Sequence, residues 1–473
     1  MTRISFGTSG WRGILCEDFT FENVKIVTQA IADHLRAEGQ QDKGVVVGYD
    51  ARFMGEFFAR QTVQVLAGAG IKTFLCNRDT PTPVIAFEIL RHQAAGGINF
   101  TASHNPSHYN GLKFSSGWGG PALPETTKDM EDRANAMMGE VCYREMPFQQ
   151  AEEKGLVEEI DPRGPYFEKI RDLVDLEAIA RSGLTIAVNP LYGTARGYLD
   201  TLLSEAGVPV VTINDHLDPY FGGLPPEPAE ENIEDFISLV RTNPEISLGV
   251  ATDGDADRYG IIDEHGIFYE PNYILAMLFD YLIRVKGKNG DAARSVATSH
   301  FLDAVAAHHD MSVHETPVGF KYIGELIKED RILIGGEESA GLSVRSHVPD
   351  KDGIVACLLV AEMVAVTGKP LSDLLSDLYG RVGEFHTKRI NIRLTPELEG
   401  AFGGKMQNPP ENFAGKAVTK KITIDGVKLL LEDDCWVLFR KSGTEPVVRL
   451  YAEARTEADL GEVLKAAEKF VTS

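Results

Sequence analysis

The sequence lacks any apolar run of the length that a bilayer requires, and its first residues, Met1 to Ser5, carry no basic region followed by an apolar core. Neither a membrane-spanning segment nor a secretory signal is therefore predicted. We expect a soluble, cytoplasmic protein.

Positive charge is also in short supply. The 473 residues include 47 lysines and arginines against 70 aspartates and glutamates, which gives a formal net charge of -23. Nucleic acids and anionic membrane surfaces bind to broad basic faces, so we expect no nucleic-acid partner and no membrane partner. An anionic small substrate would need loops that are basic locally.

Cysteine is scarce and irregularly placed. An odd number of cysteines without metal-binding spacing suits reduced thiols in a cytoplasm and argues against a disulfide framework. The five cysteines are Cys16, Cys76, Cys142, Cys357 and Cys435.

A repeated pattern of strand, polar loop, helix and strand runs through most of the chain. A chain of 473 residues is too long for a single hydrophobic core, and this length predicts three or four domains. The alternation predicts three related α/β units with mixed or parallel sheets that are covered by helices. The predicted elements are strand 45–50 and helix 55–68; strand 184–189, helix 193–207 and strand 208–213; and strand 295–299, helix 301–309 and strand 311–313.

The pattern changes near residue 384. An alternating stretch at 387–394 and two further strands, at 418–424 and 427–431, are predicted, with a loop at 403–412 and a last amphipathic helix at 457–470. These elements predict a small α+β domain at the C-terminal end of the sequence.

The stretch Thr101 to Pro106 follows a predicted strand at 98–100. Because Asn105-Pro106 forces a turn, Ser103 would project from a loop at the carboxyl end of the strand, where open α/β sheets keep their ligands. An ordinary turn is the alternative interpretation, since Ser, Asn and Pro are common turn formers.

Three aspartates alternate directly after another apolar strand, in Asp253-Gly254-Asp255-Ala256-Asp257. Their oxygens can converge on one hard divalent cation, and Mg2+ is favoured over Ca2+ because three carboxylates leave room for water and a phosphate oxygen. An EF-hand is excluded, because Arg258 occupies its glycine position and strands replace its helices. A solvated acidic turn would not explain why the charges follow a buried strand.

Further loops carry polar groups on glycine-rich backbone. Gly335 to Gly341 contains Glu337 and Ser339, whose oxygens suit sugar hydroxyl groups, although a capped helix start is the alternative. The loops 316–321 and 347–353 each offer a lysine, and either could be plain surface.

Two segments concentrate anion-binding groups. The opening stretch Phe6 to Gly13 surrounds Arg12 with Gly, Thr and Ser, and a glycine-rich turn is its alternative. Near the end of the sequence, Phe439 to Pro446 and Arg449 combine two arginines, two hydroxyls and glycine-exposed amides, which predicts a clamp for a phosphate dianion in preference to a plain hairpin.

Together these loops resemble the α-D-phosphohexomutases, a family that includes phosphoglucomutase and phosphomannomutase. The resemblance spans nearly the whole chain, with four signature loops in the family's order at 101–106, 253–258, 336–341 and 440–446. Residues 6–13, 218–232 and 316–321 also look like family segments.

The resemblance implies four domains around a central cleft, three of them related α/β domains with mixed sheets and the last a C-terminal α+β domain. With boundaries at charged and Pro/Gly-bearing stretches, the predicted domains are 1–155 with the phosphoserine loop, 156–263 with the metal loop, 264–380 with the sugar loop and 381–473 with the phosphate loop.

The resemblance also implies an isomerase that moves a phosphoryl group through phosphorylated Ser103 and a bisphosphorylated sugar. The expected cofactors are Mg2+, bound by Ser103 and the three aspartates, and glucose 1,6-bisphosphate as intermediate and activator. A hexose phosphate is the expected partner, and no obligatory protein partner is expected. The implied catalytic residues are Ser103, Lys113 as candidate acid/base, His104 and Arg12; the substrate-binding residues are Arg258, Thr316, Gly319, Lys321, Glu337, Ser339 and Lys351; and the phosphate-binding residues are Arg440, Ser442, Gly443, Thr444 and Arg449.

Specificity is predicted from the form of the sugar loop. Glu337-Glu338-Ser339-Ala340 looks like phosphoglucomutases, so glucose 1-phosphate is favoured over mannose, glucosamine or pentose phosphates. The loop lacks the histidine of other members, and Lys441 stands where many have an uncharged residue. An idle sugar-phosphate binder and a phosphatase with Asp253 as nucleophile are the alternatives from other classes.

Overall fold

A computed structural model describes residues 3–7, 10–140, 142–407, 410–441 and 447–472, with the backbone alone for 396, 397, 399 and 401. Strands in this part of the chain form four sheets, which follow one another along the sequence. Among the described residues no single helix is long and apolar enough to cross a membrane. The helices Gly353–Thr367 and Leu371–Val382, bent by 82°, meet that test only as a pair.

The first sheet has the order β1-β2-β6-β5-β3-β4-β7. Its strands β3, β4, β5 and β7 are parallel, whereas β1, β2 and β6 run antiparallel to their neighbours. The strands are β1 (Phe6–Gly7), β2 (Gly10–Ile14), β3 (Val45–Tyr49), β4 (Thr73–Cys76), β5 (Gly96–Phe100), β6 (Tyr109–Ser116) and β7 (Val157–Ile160), and the helices are α1 (Phe21–Ala37), α2 (Gly55–Gly68), α3 (Thr82–His92), α4 (Pro124–Met137) and α5 (Phe148–Glu153).

Local sequence explains much of this sheet. Val45-Val46-Val47 is buried, as expected of a parallel strand covered on both faces. The predicted helix at 55–68 is confirmed at both ends, and the predicted strand at 98–100 lies within β5. Strand β7 pairs with β4 although it begins at Val157, beyond residue 155 where the sequence placed the first boundary. The three boundaries between the four predicted domains stay predictions.

The second sheet has the order β12-β11-β10-β8-β9, with β10, β8 and β9 parallel. Its strands are β8 (Ile186–Asn189), β9 (Val210–Thr212), β10 (Leu248–Thr252), β11 (Tyr259–Asp263) and β12 (Phe268–Tyr269), and its helices are α6 (Arg163–Leu173), α7 (Leu176–Arg181), α8 (Leu199–Glu205) and α9 (Glu234–Thr242).

The helix predicted at 193–207 is wrong in its first half, because only α8 is helical. Gly197 has a positive φ of 72°, and Thr194 donates its backbone N–H to the carbonyl oxygen of Gly254 at 3.0 Å. This segment therefore supports the loop between β10 and β11 and does not continue a helix.

The third sheet has the order β14-β13-β15-β16, with β14, β13 and β15 parallel and β16 antiparallel. Its strands are β13 (Asp291–Ser295), β14 (Val313–Thr316), β15 (Ile332–Gly336) and β16 (Leu342–Val344), and its helices are α10 (Pro271–Arg284), α11 (Phe301–His308), α12 (Phe320–Lys328), α13 (Gly353–Thr367) and α14 (Leu371–Val382).

The strand predicted at 295–299 is wrong, since β13 ends where that prediction began. The hydroxyls of Ser295 and Thr298 lie 2.9 Å apart and both bond to the carboxylate of Glu338. These side-chain hydrogen bonds close a turn at 295–298. The strand is formed instead by the less apolar residues that precede the turn, Asp291–Ser295. The strand predicted at 311–313 begins only at Val313.

The fourth sheet has the antiparallel order β17-β22-β21-β20-β19-β18. Its strands are β17 (His386–Arg393), β18 (Asn412–Phe413), β19 (Lys416–Ile422), β20 (Val427–Leu431), β21 (Trp436–Lys441) and β22 (Val447–Ala454), and its helices are α15 (Pro396–Gln407) and α16 (Glu457–Thr472). The loop predicted at 403–412 is wrong up to Gln407, because α15 includes Gly403 and Gly404. An exposed helix tolerates each glycine at a cost of about 1 kcal/mol.

The sheets are joined by shared cores. Helix α13 is buried over nearly its whole surface and contributes to one core that includes residues of the second and third sheets. Trp436 and Leu438 of the fourth sheet pack against Val296 and Ala297 of the third domain. The predicted class, three α/β domains with mixed sheets and a different C-terminal domain, is confirmed.

Candidate active site

Ser103 lies on the loop after β5, buried with 5% of its surface exposed. Its φ is 50°, in the left-handed region, and its backbone N–H donates to the hydroxyl of Thr101 at 2.8 Å. The Ser103 hydroxyl donates to Asp253 Oδ2 at 2.9 Å, across a sequence separation of 150 residues. The loop thus aims its hydroxyl at the loop between β10 and β11.

The three aspartates of that second loop are buried together. Carboxylate oxygens of Asp253, Asp255 and Asp257 all lie within 4.8 Å of one another. Ala256 between them has a φ of 59°, which turns the backbone sharply enough for the side chains to converge. Thr82, the first residue of α3, donates its hydroxyl to Asp255 Oδ2 at 2.7 Å.

The donor set fits a hard divalent cation. Asp255 Oδ1 and Asp257 Oδ1 are buried and accept no hydrogen bond from the described residues, and a buried oxygen without a partner is costly. Burial and the charges of Asp255 and Asp257 raise the pKa of Asp253 well above its ordinary value. A cation among these oxygens would supply the missing opposite charge, and carboxylate oxygens are the ligands that Mg2+ prefers.

Two lysines and an arginine surround the acidic loop. Lys351 Nζ lies 2.7 Å from Asp257 Oδ2, and Lys113 Nζ lies 3.7 Å from the same oxygen and 3.3 Å from Asp350 Oδ2. Burial alone would raise the pKa of Asp257, but the charges of Lys351, Lys113 and Arg258 outweigh it and hold that pKa below its ordinary value. Asp257 is therefore ionised.

Arg12 and His104 lie beside the Ser103 loop. Arg12 donates from Nη1 to Asn105 Oδ1, which connects β2 to the Ser103 loop. His104 Nδ1 lies 3.3 Å from the Ser103 hydroxyl. Burial and the charges of Arg258 and Arg12 lower the pKa of His104 to about 2, so its ring is neutral near pH 7.

Glu337 lies at the end of β15, buried in the third domain. It accepts the backbone N–H of Gly319 at Oε1 at 2.8 Å, which fastens the 316–321 loop to the sugar loop. Burial and the charge of Glu338 raise the pKa of Glu337 to about 7. A single β-bridge between Arg258 and Gly341 joins this loop to the acidic loop.

The remaining residues predicted for substrate lie around Glu337. Ser339 is half-buried in the turn between β15 and β16. Thr316 is buried, and its hydroxyl donates to the carbonyl oxygen of Pro317 at 3.0 Å. Lys321 is half-buried on α12, with its ammonium 5.2 Å from the ring centre of Tyr322. Arg258 pairs with Glu227 at 3.0 Å.

Part of the predicted phosphate loop belongs to the described chain. Arg440 Nε donates to Asp425 Oδ2 at 2.9 Å, and the same oxygen accepts the backbone N–H of Val318 at 3.2 Å. Arg449 lies opposite Arg440 in the β21–β22 register. Ser442, Gly443 and Thr444 lie outside the described residues.

Family models cover most of the chain in the order of its sheets. Those described as phosphoglucomutase/phosphomannomutase α/β/α domains I, II and III match residues 3–139, 164–266 and 270–382, and the one described as the C-terminal domain matches 390–469. A phosphoglucomutase/phosphomannomutase of Thermococcus kodakarensis is 34% identical over 468 residues, which cover 98% of each chain. The chain belongs to the phosphoglucomutase/phosphomannomutase family. It is a phosphohexomutase, and the resemblance found in the sequence is confirmed.

Other relatives are named for mutases of different sugars. A Pyrococcus abyssi protein assigned as a phosphoglucosamine mutase is 31% identical over 469 residues, covering 98% of this chain and 97% of its own. The structure of a Thermus thermophilus protein assigned as a phosphomannomutase is similar with a TM-score of 0.85, at 34% identity and complete coverage of both chains. The family and its fold are thus shown, while the names leave the sugar open.

The phosphohexomutase fold brings most of the predicted residues into two groups. Ser103, His104, Lys113, Arg258 and Lys351 lie around the three aspartates, and Gly319 and Glu337 are bonded to each other across two loops. Five polar residues that bond to these groups, or to the loops beside them, were not predicted from the sequence. They are Arg52, Thr82, Glu227, Asp350 and Asp425.

Some of these residues carried a usable signal. Asp50-Ala51-Arg52 follows the buried strand β3 in the same way that Ser103 follows β5, and Asp350 precedes the predicted Lys351. Charged residues at the carboxyl ends of parallel strands point to the ligand side of an α/β sheet. Thr82 and Asp425 had no such signal, because their partners are distant in sequence.

Proposed function

We propose that this phosphohexomutase interconverts glucose 1-phosphate and glucose 6-phosphate through phosphorylated Ser103 and glucose 1,6-bisphosphate. The observation that carries the proposal is the 2.9 Å contact between the Ser103 hydroxyl and Asp253, within a buried cluster of carboxylates and cations. A nucleophile, a cation site and basic side chains at one point are what phosphoryl transfer requires.

The reaction consists of two transfers. In the first, the bond from phosphorus to Ser103 Oγ breaks, and a bond forms to the free hydroxyl of the sugar phosphate, which gives up its proton. In the second, the sugar has turned over, and the bond to its other phosphate breaks as that group returns to Ser103. Lys113, which lies 3.7 Å from Asp257 and 3.3 Å from Asp350, is the group proposed for the proton transfers: as the neutral amine it would accept the hydroxyl proton in the first transfer, and as the ammonium it would return that proton to the sugar oxygen released in the second.

Asp253, Asp255 and Asp257 would hold Mg2+ together with the phosphate on Ser103. The cation would neutralise negative charge on the transferred group. Around it, Lys351 and Arg258 supply fixed positive charge, since Lys351 is buried against Asp257 and Arg258 reaches both Asp257 and Glu227. Arg12 and neutral His104 would line the Ser103 side of the same site.

The sugar would be held by the third domain. Glu337 and Ser339 are proposed to accept and donate hydrogen bonds to sugar hydroxyls, with Thr316, Gly319 and Lys321 beside them. Arg440 and Arg449, with Ser442, Gly443 and Thr444, are proposed to clamp the phosphate that is not being transferred. One clamp must accept either end of the sugar, because the bisphosphate reorients between the two transfers.

Glucose is the proposed sugar because of the loop Glu337-Glu338-Ser339-Ala340. The Glu338 carboxylate accepts hydrogen bonds from Ser295 and Thr298 at 2.9 and 3.2 Å. Its side chain therefore ties the sugar loop to the turn at the end of β13. Glu337 and Ser339 are then the loop's polar groups for a sugar. Mannose, glucosamine and pentose phosphates are the alternatives by the same mechanism.

The test is the rate of glucose 6-phosphate formation from glucose 1-phosphate with Mg2+ and a trace of glucose 1,6-bisphosphate. Ser103→Ala is expected to abolish turnover, whereas Ser107→Ala, in the same loop, should keep it. Retained activity in Ser103→Ala contradicts the assigned nucleophile. Faster turnover of mannose or glucosamine 1-phosphate by the wild type contradicts the glucose preference alone.

A second measurement separates the mutase from a phosphatase. Incubation with glucose 1,6-bisphosphate is expected to leave acid-stable phosphate on Ser103, which mass spectrometry of the protease digest would locate. Acid-labile phosphate on Asp253 would support the phosphatase alternative, since acyl phosphates hydrolyse readily. Activity in Ser103→Ala together with phosphate on Asp253 would contradict the mutase proposal and support the phosphatase alternative.

A further inference from the structure

Arg52 lies behind the Ser103 loop, in the segment between β3 and α2. It is buried, with 3% of its surface exposed, and its Nε lies 3.2 Å from Asp50 Oδ2. The ring of Phe221, from the second domain, lies 5.0 Å from the guanidinium carbon. The side chain is therefore held from two directions before it reaches the loop.

The guanidinium donates to four backbone carbonyl oxygens of one loop. Nη2 donates to Ser103 at 2.7 Å and to Asn105 at 2.5 Å. Nη1 donates to Pro106 at 2.8 Å and to Tyr109 at 3.0 Å. With Nε in an ion pair with Asp50, each nitrogen of the planar group has an oxygen partner, a geometry that a lysine ammonium with three donors cannot reproduce.

The loop needs such a support. Ser103 has a φ of 50°, a conformation that residues other than glycine rarely adopt unless the surrounding structure holds them there. Four carbonyl oxygens that converge on one point also repel each other unless a cation lies between them. Arg52 supplies that cation, and one of its bonds is to the carbonyl of Ser103 itself.

We infer that Arg52 is a positioning residue for the phosphoryl-transfer reaction, which fixes the Ser103 side chain against the acidic loop. This inference rests on the proposed role of Ser103 as phosphoryl carrier. Arg52 donates to backbone carbonyl oxygens of residues 103–109, and its effect on the reaction would pass through that backbone. Loss of its hydrogen bonds lets Ser103 Oγ move away from Asp253, while the sugar site around Glu337 stays intact.

The experiment compares Arg52→Lys with Arg60→Lys, a matched change at an exposed arginine of α2 that pairs with Glu56. Arg52→Lys is expected to lower kcat by roughly 100-fold, since small misplacements of reacting groups have effects of that size. KM for the sugar phosphate should stay within about twofold. The rate at which glucose 1,6-bisphosphate phosphorylates Ser103 should fall in parallel with kcat.

A readout independent of activity is hydrogen–deuterium exchange of the unphosphorylated protein, followed by mass spectrometry. Amide hydrogens of residues 101–110 should exchange at least about tenfold faster in Arg52→Lys, with no change in the peptide that contains β8. Faster exchange with unchanged kcat overturns the inference. Unchanged exchange in the loop, together with a lower midpoint of unfolding, also overturns it, because Arg52 would then only stabilise the domain.

Phe221→Leu is the second variant, in case Arg52→Lys fails to fold. It removes the ring beside the guanidinium and leaves every hydrogen bond partner in place. The loop should again exchange faster and kcat should fall, and the absence of both effects overturns the inference. Failure of the proposed sugar preference would appear in the wild type alone, so the two failures are distinguishable.

Discussion

Lys351 of the third domain lies 2.7 Å from Asp257 of the acidic loop, with both side chains almost completely buried. Burial would lower the pKa of Lys351, but the charges of Asp257 and Asp350 outweigh it and raise that pKa above its ordinary value. The pair is therefore charged, and it joins the third domain to the proposed cation site. Part of the negative charge of the acidic loop is thus neutralised before any metal binds.

Lys351→Met is expected to destabilise the metal-free protein strongly, because it leaves Asp257 buried without its nearest cation. Breaking a buried ion pair from one side costs about 3 to 5 kcal/mol. The measurement is the urea midpoint in the presence of EDTA, with Lys288→Met as an exposed control in the same domain. Mg2+ should raise the midpoint of Lys351→Met by more than that of the wild type, and an equal shift would contradict this explanation.

Thr82→Val is expected to weaken Mg2+ binding without unfolding the protein. The Thr82 hydroxyl donates to Asp255 Oδ2 at 2.7 Å and accepts from Asn99 at 2.9 Å, so it orients a proposed ligand. Removal of such a supporting hydrogen bond costs about 10- to 100-fold in metal affinity. Calorimetric titration of the unphosphorylated protein with MgCl2 measures this.

Thr62→Val is the matched control for Thr82→Val. Thr62 is equally buried in the first domain. Its hydroxyl lies 3.0 Å from that of Thr28, which is not one of the proposed Mg2+ ligands. It should keep wild-type affinity for Mg2+. Equal weakening in both variants would mean that the effect comes from general loosening of the domain.

Glu337 should make stability depend on pH in a defined direction. Burial and the charge of Glu338 raise its pKa from 4.5 to about 7, so the folded protein binds this proton more tightly than the unfolded chain does. The group's contribution to stability is complete below pH 4.5 and is lost as the pH rises through about 7. Glu337→Gln should reduce the fall in the free energy of unfolding over this window, and an unchanged pH slope would contradict the assignment.

The sequence predicted elements well where local signals agreed. Helix α2 begins and ends where glycine and apolar spacing placed it, at Gly55 and Gly68. The predicted strand at 295–299 failed because the hydroxyls of Ser295 and Thr298 bond to Glu338, a residue about forty positions away. Hydrogen bonds of this kind are tertiary, and a local pattern does not contain them.

The candidate site likewise has residues that local sequence signals identified and residues that only tertiary contacts identify. Each predicted loop could be recognised from its own residues, and Ser103 and the three aspartates lie together as the resemblance implied. Two supporting residues could not be recognised in this way, since Thr82 and Asp425 acquire their roles only through contacts with residues that are distant in sequence. Their residue types are ordinary, and their positions in the fold make them specific.

Asp425 connects the proposed phosphate clamp to the 316–321 loop, which in turn is bonded to the sugar loop. Its Oδ2 atom accepts from Arg440 Nε at 2.9 Å and from the backbone N–H of Val318 at 3.2 Å. The next residue, Gly319, donates to Glu337. A phosphate dianion that binds Arg440 must therefore compete with a carboxylate, and that competition lowers its affinity.

Asp425→Asn is expected to bind inorganic phosphate and sugar phosphates more tightly, by up to about fivefold, because a partly exposed ion pair of this kind is worth about 0.2 to 1 kcal/mol. The asparagine keeps an oxygen for the backbone N–H of Val318, so the 316–321 loop stays anchored to the C-terminal domain. Binding is measured by calorimetric titration of the unphosphorylated protein. Asp433→Asn, which removes an exposed partner of Lys416 in the same domain, controls for net charge. Equal tightening in both variants would mean that overall charge, and not release of Arg440, sets the affinity, whereas weaker binding in Asp425→Asn would mean that the carboxylate orients Arg440 for phosphate.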